Sequence, residues 1–424
     1  MGAMLSQNLL NLVDILFVKQ LGDAALAAAG LGGFAHFTAF ALVIGVSVGV
    51  QAITARRYGE GERDKASRPL HAGLVIALVV GGLLTVGLWL LVPSIYPYLN
   101  QDPAVQKEGV PYLQARILGT TFVALNFAFR GFWNGIGASK VYMMTLFAMH
   151  VANAVLNYLL IFGHGGLPAM GLEGAGVGTA LALGLGTVIY LIIGLRRARE
   201  LGFLQQLPSW ADIRGVFWVS LPSSIQQLFF AGGLLAMTWI IGLMGTEELA
   251  ASNILINLLL VALLPGLGLG LGSATLVGQA LGRQEPTDAY RWGWESAGVG
   301  FALIAMIALP MILTPGWILL PFSPDSGTVE LARWPMRLIG IFIPFDVAGL
   351  ILFQSLLGAG DTRRAMMLSL FFQWVFFLPL AYLSGPYLGG DLTVVWALQG
   401  LYRLLQMGFC AWLWYQRKWV AITL

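Results

Sequence analysis

Two carboxylates stand inside apolar runs: Asp14 in LSQNLLNLVDILFVKQLG, and Asp346 in IGIFIPFDVAGLILFQSLLG. A charged side chain at the centre of a bilayer costs about 3 kcal/mol on insertion scales. Each acid must therefore be neutralised, paired or watered, and the chemistry open to such a group is reversible capture of a proton or a metal cation. Gln7, Asn11 and Asp14 lie at i, i+4 and i+7 and form one polar stripe on a helix. Asp346 follows Pro344 by two residues and precedes Gly349 by three. A proline removes one backbone donor and leaves a carbonyl free to bind a cation or substrate. Gln354, eight residues on, falls on roughly the same face. As a lone acid beside a disrupted turn, Asp346 is read as a functional group, so D346N is expected to cost activity while leaving the amount of folded protein unchanged.

Other polar residues cluster more weakly. Asn153 and Asn157 are one helical turn apart in HVANAVLNYLLIFG and are expected to share an interior with Asp14, either as ligands or as interhelical hydrogen bonds. Ser223, Ser224, Gln226 and Gln227 follow Pro222. Trp133, Trp239 and Trp374 fall inside apolar runs and are candidates either for an aromatic cavity suited to flat organic cations or for lipid-facing surface. The four His and the single Cys410 have no metal-ligand spacing. No phosphate-binding glycine loop, zinc signature or nucleophile elbow occurs, so the chain is read as no enzyme and as needing no cofactor.

The elements that must position these residues are membrane helices. Of 424 residues 58% are hydrophobic and only 10% charged, and the mean hydropathy is +0.79. So few charges cannot cover the surface of a soluble protein of this length. Twelve apolar runs are long enough to cross roughly 30 Å of hydrocarbon; among them are 5–21, 110–131, 365–382 and 394–415. Their length excludes a β-barrel. Numbering each connection by the span it follows, even connections and the C-terminal tail hold sixteen Lys and Arg, and odd connections hold three. This asymmetry puts both termini in the cytoplasm. Four more arginines (Arg116, Arg130, Arg337, Arg403) fall within spans or at their ends. The net charge of +3 reflects these short connections, not a nucleic-acid surface.

The sequence also repeats itself at an offset of 223 residues. Leu26, Ala27 and Ala28 match Leu249, Ala250 and Ala251, Gly45 matches Gly268, Arg68 matches Arg291, and Gly135 and Gly137 match Gly358 and Gly360. The reading is an all-α integral membrane protein with an N-terminal six-helix bundle over 1–195, a cytoplasmic linker over 196–212 and a C-terminal six-helix bundle over 213–424. Asp14 and Asp346 have the repeat equivalents Met237 and Val123, so the bundles share a frame but not their acids. The first span is about twelve residues shorter at its start than the seventh, an indication of either a truncated or a trimmed first helix.

Three runs carry a family resemblance: VDILFVKQLGDAALAAAGLG at 13–32, NAVLNYLLIFGHGGLPAMGLEGAGVGTALA at 153–182 and FQSLLGAGDTRRAM at 353–366. In these the chain resembles the multidrug and toxic compound extrusion (MATE) transporters. The resemblance implies two six-helix bundles around a V-shaped cleft and export of organic cations or amphipathic drugs against entry of protons or sodium ions. It places the family's first-helix acid on Asp14, its helix-five polar pair on Asn153 and Asn157, and its helix-six hydroxyl on Thr179. The helix-ten acid of the sodium-linked branch falls on Asp346, but the helix-seven Glu of that branch has no counterpart between Asp212 and Glu247. A sodium ion at Asp14 or Asp346 and a proton at Asp14 both remain open. The implied partners are small amphipathic or cationic substrates and the bilayer, with the protein itself a monomer. A lipid-linked oligosaccharide flippase of similar architecture, or a channel, are the alternatives. A flippase would be expected to line its cleft with Arg or Lys.

Overall fold

The computed structural model describes residues 13–322 and 326–424. Gln7 and Asn11 lie outside the described residues. Helix α1 occupies 13–19, followed by α2 (Asp23–Gly59), α3 (Arg68–Leu99), α4 (Pro103–Ile117), α5 (Thr120–Gly135), α6 (Ser139–Phe162) and α7 (Gly171–Arg197). Then come α8 (Trp210–Gly242), α9 (Thr246–Gly282), α10 (Pro286–Leu313), the short α11 (Pro315–Leu319) and α12 (Ser326–Gly358). Helix α13 (Thr362–Leu370) runs through a π-helical stretch, Phe371–Phe377, into α14 (Leu378–Tyr382) and a second, Leu383–Tyr387, and α15 (Leu392–Tyr415) follows. Among the described residues nine helical segments are long and apolar enough to cross a membrane. The segment 13–19, the broken pair α4–α5, and α15 bring the count to twelve. Many large side chains on these helices face outward, such as Leu83, Val86 and Leu90 on α3, as a lipid-facing surface requires.

Two spans run differently from the hydropathy reading. The fourth begins at Pro103, because Asp102 caps the helix by accepting from the Ala104 amide at 2.8 Å and Pro103 fits the first turn. Its first turns, PAVQKEG, are too polar to register as apolar. The eleventh extends to Tyr387 by way of its π turns.

The chain divides into two compact units, residues 1–224 and 225–424, and the division falls inside α8 two residues past Pro222. In the first unit α2 packs along α5 and α4, α3 along α5, and α6 along α7; in the second, α9 and α10 pack along α12, and α12 along α15. The repeat is visible at single contacts. A methyl group on Gly135 of α5 would stand 3.0 Å from the Gln51 carbonyl oxygen of α2, and one on Gly358 of α12 would overlap the Ala274 carbonyl of α9. Gln51 and Ala274 are themselves 223 residues apart, so the same glycine lets the same pair of helices meet in each unit.

The segment after α7 is docked on the first unit. Phe203 is buried between Gly194, His71 and Phe129. The Leu204 amide donates to His71 Nε2 at 2.9 Å, the Ser67 amide donates to Leu201 O at 3.1 Å, and Arg57 pairs with Asp212 at 2.7 Å. Burial of one aromatic ring and these polar contacts hold a segment that its composition alone presents as a plain linker.

Candidate functional site

In the first unit a single chain of hydrogen bonds ends on Asp14. The Asn157 amide, buried on α6, donates to Asp14 Oδ1 at 2.8 Å and shares its second hydrogen with Asn153 Oδ1 at 3.4 Å. Asn153 Nδ2 donates to Thr179 Oγ1 of α7 at 3.1 Å, and Thr179 donates back to the Ala175 carbonyl at 2.8 Å. Helical spacing makes this possible: Asn153 and Asn157 are one turn apart on α6, and α6 lies along α7. Asp14 is half-buried, and Asn157 Oδ1 is buried without a hydrogen-bond partner among the described residues. Arg116 of α4 makes its own contacts with α2 and within α4. Its Nε donates to His36 Nδ1 at 3.3 Å, so that imidazole nitrogen carries no proton, and its NH1 donates to the Tyr112 hydroxyl.

Gly178 shapes this site in a way composition does not reveal. A methyl group there would overlap Asn157 Oδ1. We expect G178A to push the Asn157 amide off Asp14, with an overpacking cost of about 1–3 kcal/mol. Transport per folded molecule, measured against protein recovered from the membrane, should fall; transport at the wild-type level would show that the Asn157 contact is dispensable.

In the second unit Asp346 is buried on α12, and its Oδ1 lies 3.7 Å from Arg403 NH1 of α15. The guanidinium lies over the rings of Tyr402 (5.0 Å) and Phe230 (6.0 Å). Two neighbouring cavities share Leu259, Gln399 and Arg403 in their walls; Asp346, Phe342 and Trp396 line one, and Met237, Gln373 and Phe377 the other. Gly400 admits Phe342 against α15, and the π turn around Gln373 carries that side chain over Gly233. An inserted π turn is a frequent feature of functional sites.

The structure thus brings Asp14, Asn153, Asn157 and Thr179 together, and gives Asp346 an ion-pair partner. Gln354 does not join Asp346: it packs over Gly270, about 12 Å further along α12. Gln226 and Gln227 are half-buried on α8 and do not join the Asp346 cluster. Trp133, Trp239 and Trp374 line neither of these two cavities. Trp133 is buried, Trp239 is 60% exposed and stacks on Tyr382, and Trp374 donates to the Phe229 carbonyl. The aromatic walls come instead from Phe230, Phe342, Phe377, Trp396 and Tyr402. Sequence reasoning passed over Arg403 as one of four arginines mostly near span ends. It stands eleven residues from the start and twelve from the end of α15, a depth at which a cation needs a buried anion. The repeat asymmetry also holds in space. Val123, the counterpart of Asp346, sits in an apolar cluster with Val43, Ala77 and Ala124.

Among the described residues, twelve helical spans in two units of matching helix pairings, each unit with a carboxylate inside it, define a multi-pass membrane transporter. The MatE family model matches residues 1–159 and 222–383, one stretch for each repeat. The chain belongs to this family, the MATE efflux transporters. A probable multidrug resistance protein NorM of Agrobacterium fabrum is 30% identical over 93% of this chain and 87% of its own length. A multidrug resistance protein PmpM of Pseudomonas aeruginosa is 28% identical over 91% of this chain and 82% of its own. Among solved structures, an outward-facing multidrug resistance MATE family transporter of the MOP superfamily superposes with a TM-score of 0.89 at 20% identity, covering 99% of this chain and 94% of that one. The Vibrio cholerae MATE transporter VcmN in its bent form gives 0.87 at 19% identity, over 99% and 94%.

Proposed function

We propose that this protein exports amphipathic organic cations and drugs in exchange for protons, by alternating access. The observation that carries the reading is the half-buried Asp14 held by the Asn157 amide. As a carboxylate Asp14 accepts from Asn157 Nδ2. Once protonated it becomes a donor, and the neighbouring Oδ1 of Asn157, which has no other partner among the described residues, can accept after rotation of the amide. The site therefore satisfies both protonation states, as a proton carrier must. Coupling needs only that proton and substrate favour the same conformations in opposite senses. The multidrug names of the relatives support the substrate class.

Accumulation of a fluorescent or radiolabelled organic cation in inside-out vesicles tests export directly. A vesicle that binds the cation but accumulates none above a de-energised control would reject it. The excess of Lys and Arg on one set of connections further orients the protein with both termini in the cytoplasm of the cell membrane. Reporter fusions after Gly165 and Gly389 should read as periplasmic, and after Lys65 and Arg197 as cytoplasmic. A periplasmic C-terminus would overturn this orientation.

A further inference from the structure

We propose that Arg403 is the permanent counter-ion of Asp346, so that the second unit carries its own neutralising cation and takes no mobile one at that carboxylate. The inference rests on the antiport reading above, and it leaves Asp14 as the acid that exchanges its cation.

Four observations converge. Asp346 is 8% exposed, and the nearest cationic atom is Arg403 NH1. The guanidinium forms part of the wall of both cavities, so an ion in either one lies beside a fixed positive charge. Two like charges at such range repel strongly in a medium of low dielectric constant. The donor set is also poor. Hard cations need several oxygen ligands, and the cavity that contains Asp346 is otherwise lined by Leu259, Leu338, Ile339, Phe342, Ile343, Trp396 and Gly400, with Gln399 as the one further side-chain oxygen. Lastly, besides Asp346 itself, the titratable side chains that line the two cavities are Tyr402 and Arg403, both of α15. No second carboxylate and no histidine from α8, α9 or α10 lines either cavity. An arginine suits this task because its guanidinium stays charged in any environment and is more weakly hydrated than an ammonium, so it is held out of water at lower cost.

The test reads cation binding through stability and needs no transport. The thermal unfolding midpoint of the purified full-length protein is measured in sodium chloride against choline chloride, and at neutral against mildly acidic pH. The proteins compared are wild type, R403Q, R403K and the double variant R403Q/D346N. Wild type, R403K and the double variant should respond equally to sodium and to acid, since none of them holds an unpaired carboxylate at this place. R403Q should gain an extra upward shift of several degrees in sodium or in acid, because a buried carboxylate stripped of its partner takes up whichever cation is offered. A sodium or acid response in wild type that the double variant lacks would overturn the proposal, as would an R403Q that responds no more than the double variant. If R403Q cannot be purified, the comparison of wild type and R403K with the double variant still decides. Failure of the antiport reading would appear as absent accumulation in vesicles, and these midpoints would not change.

Discussion

Asparagine in place of Asp14 is expected to abolish gradient-driven export in proteoliposomes while the protein remains folded in the membrane. The substitution changes volume little and keeps a carbonyl where Asp14 Oδ1 accepts from Asn157 at 2.8 Å. What it removes is the ability to gain and lose a proton or to balance a cation. D14N therefore stands in for the permanently neutral state, and a carrier fixed in one state binds substrate yet cannot complete coupled exchange. Imposing a proton gradient and a sodium gradient separately, on wild type and D14N, separates the cases. Wild-type export should accelerate with an inward proton gradient, and D14N should stay at the level of protein-free liposomes. A D14N protein that still answers the proton gradient would remove Asp14 from the mechanism. Wild-type export driven by sodium alone would replace the proton with sodium at the same site.

The second large effect is on stability. D346N strands the Arg403 guanidinium in a pocket walled by Tyr402 and Phe230. Removing one partner of a buried ion pair costs about 3–5 kcal/mol, against a total stability of roughly 5–15 kcal/mol for a folded protein. The asparagine carbonyl still turns a partial negative charge toward the guanidinium, which lies 3.7 Å from the carboxylate it replaces, so the lower end of that range is expected. The double variant D346N/R403Q, with neither charge, should recover most of the loss. Denaturant or thermal unfolding of the four proteins in a double-mutant cycle reads the coupling between the two side chains. Additive effects would show that the pair contributes nothing as a pair. This expectation reverses the one drawn from the sequence, where Asp346 reads as a lone acid and D346N as harmless to the fold.

That reversal marks where sequence reasoning stops. Span number, the doubled architecture and the presence of two intramembrane acids were legible because they rest on local quantities: hydropathy over about twenty residues, the identity of a residue within an apolar run, and a constant offset between matching glycines. The register linking Gly135 to Gln51 and Gly358 to Ala274 follows from that same offset. The pairing of Asn153 with Asn157 on one helix face was legible too, since a turn of helix settles it. Contacts between helices distant in sequence were not. Nothing local tells that Arg403 of α15 reaches Asp346 of α12, fifty-seven residues earlier, or that Gly178 of α7 leaves room for the Asn157 amide. In lipid the driving force for such meetings is close packing and hydrogen bonding, not hydropathy. Facing side chains are chosen by the rotation and crossing of whole helices, which no short window of sequence contains. Asp14 and Asp346 look alike in their segments; tertiary structure separates them, giving one a chain of neutral amides and the other a fixed arginine.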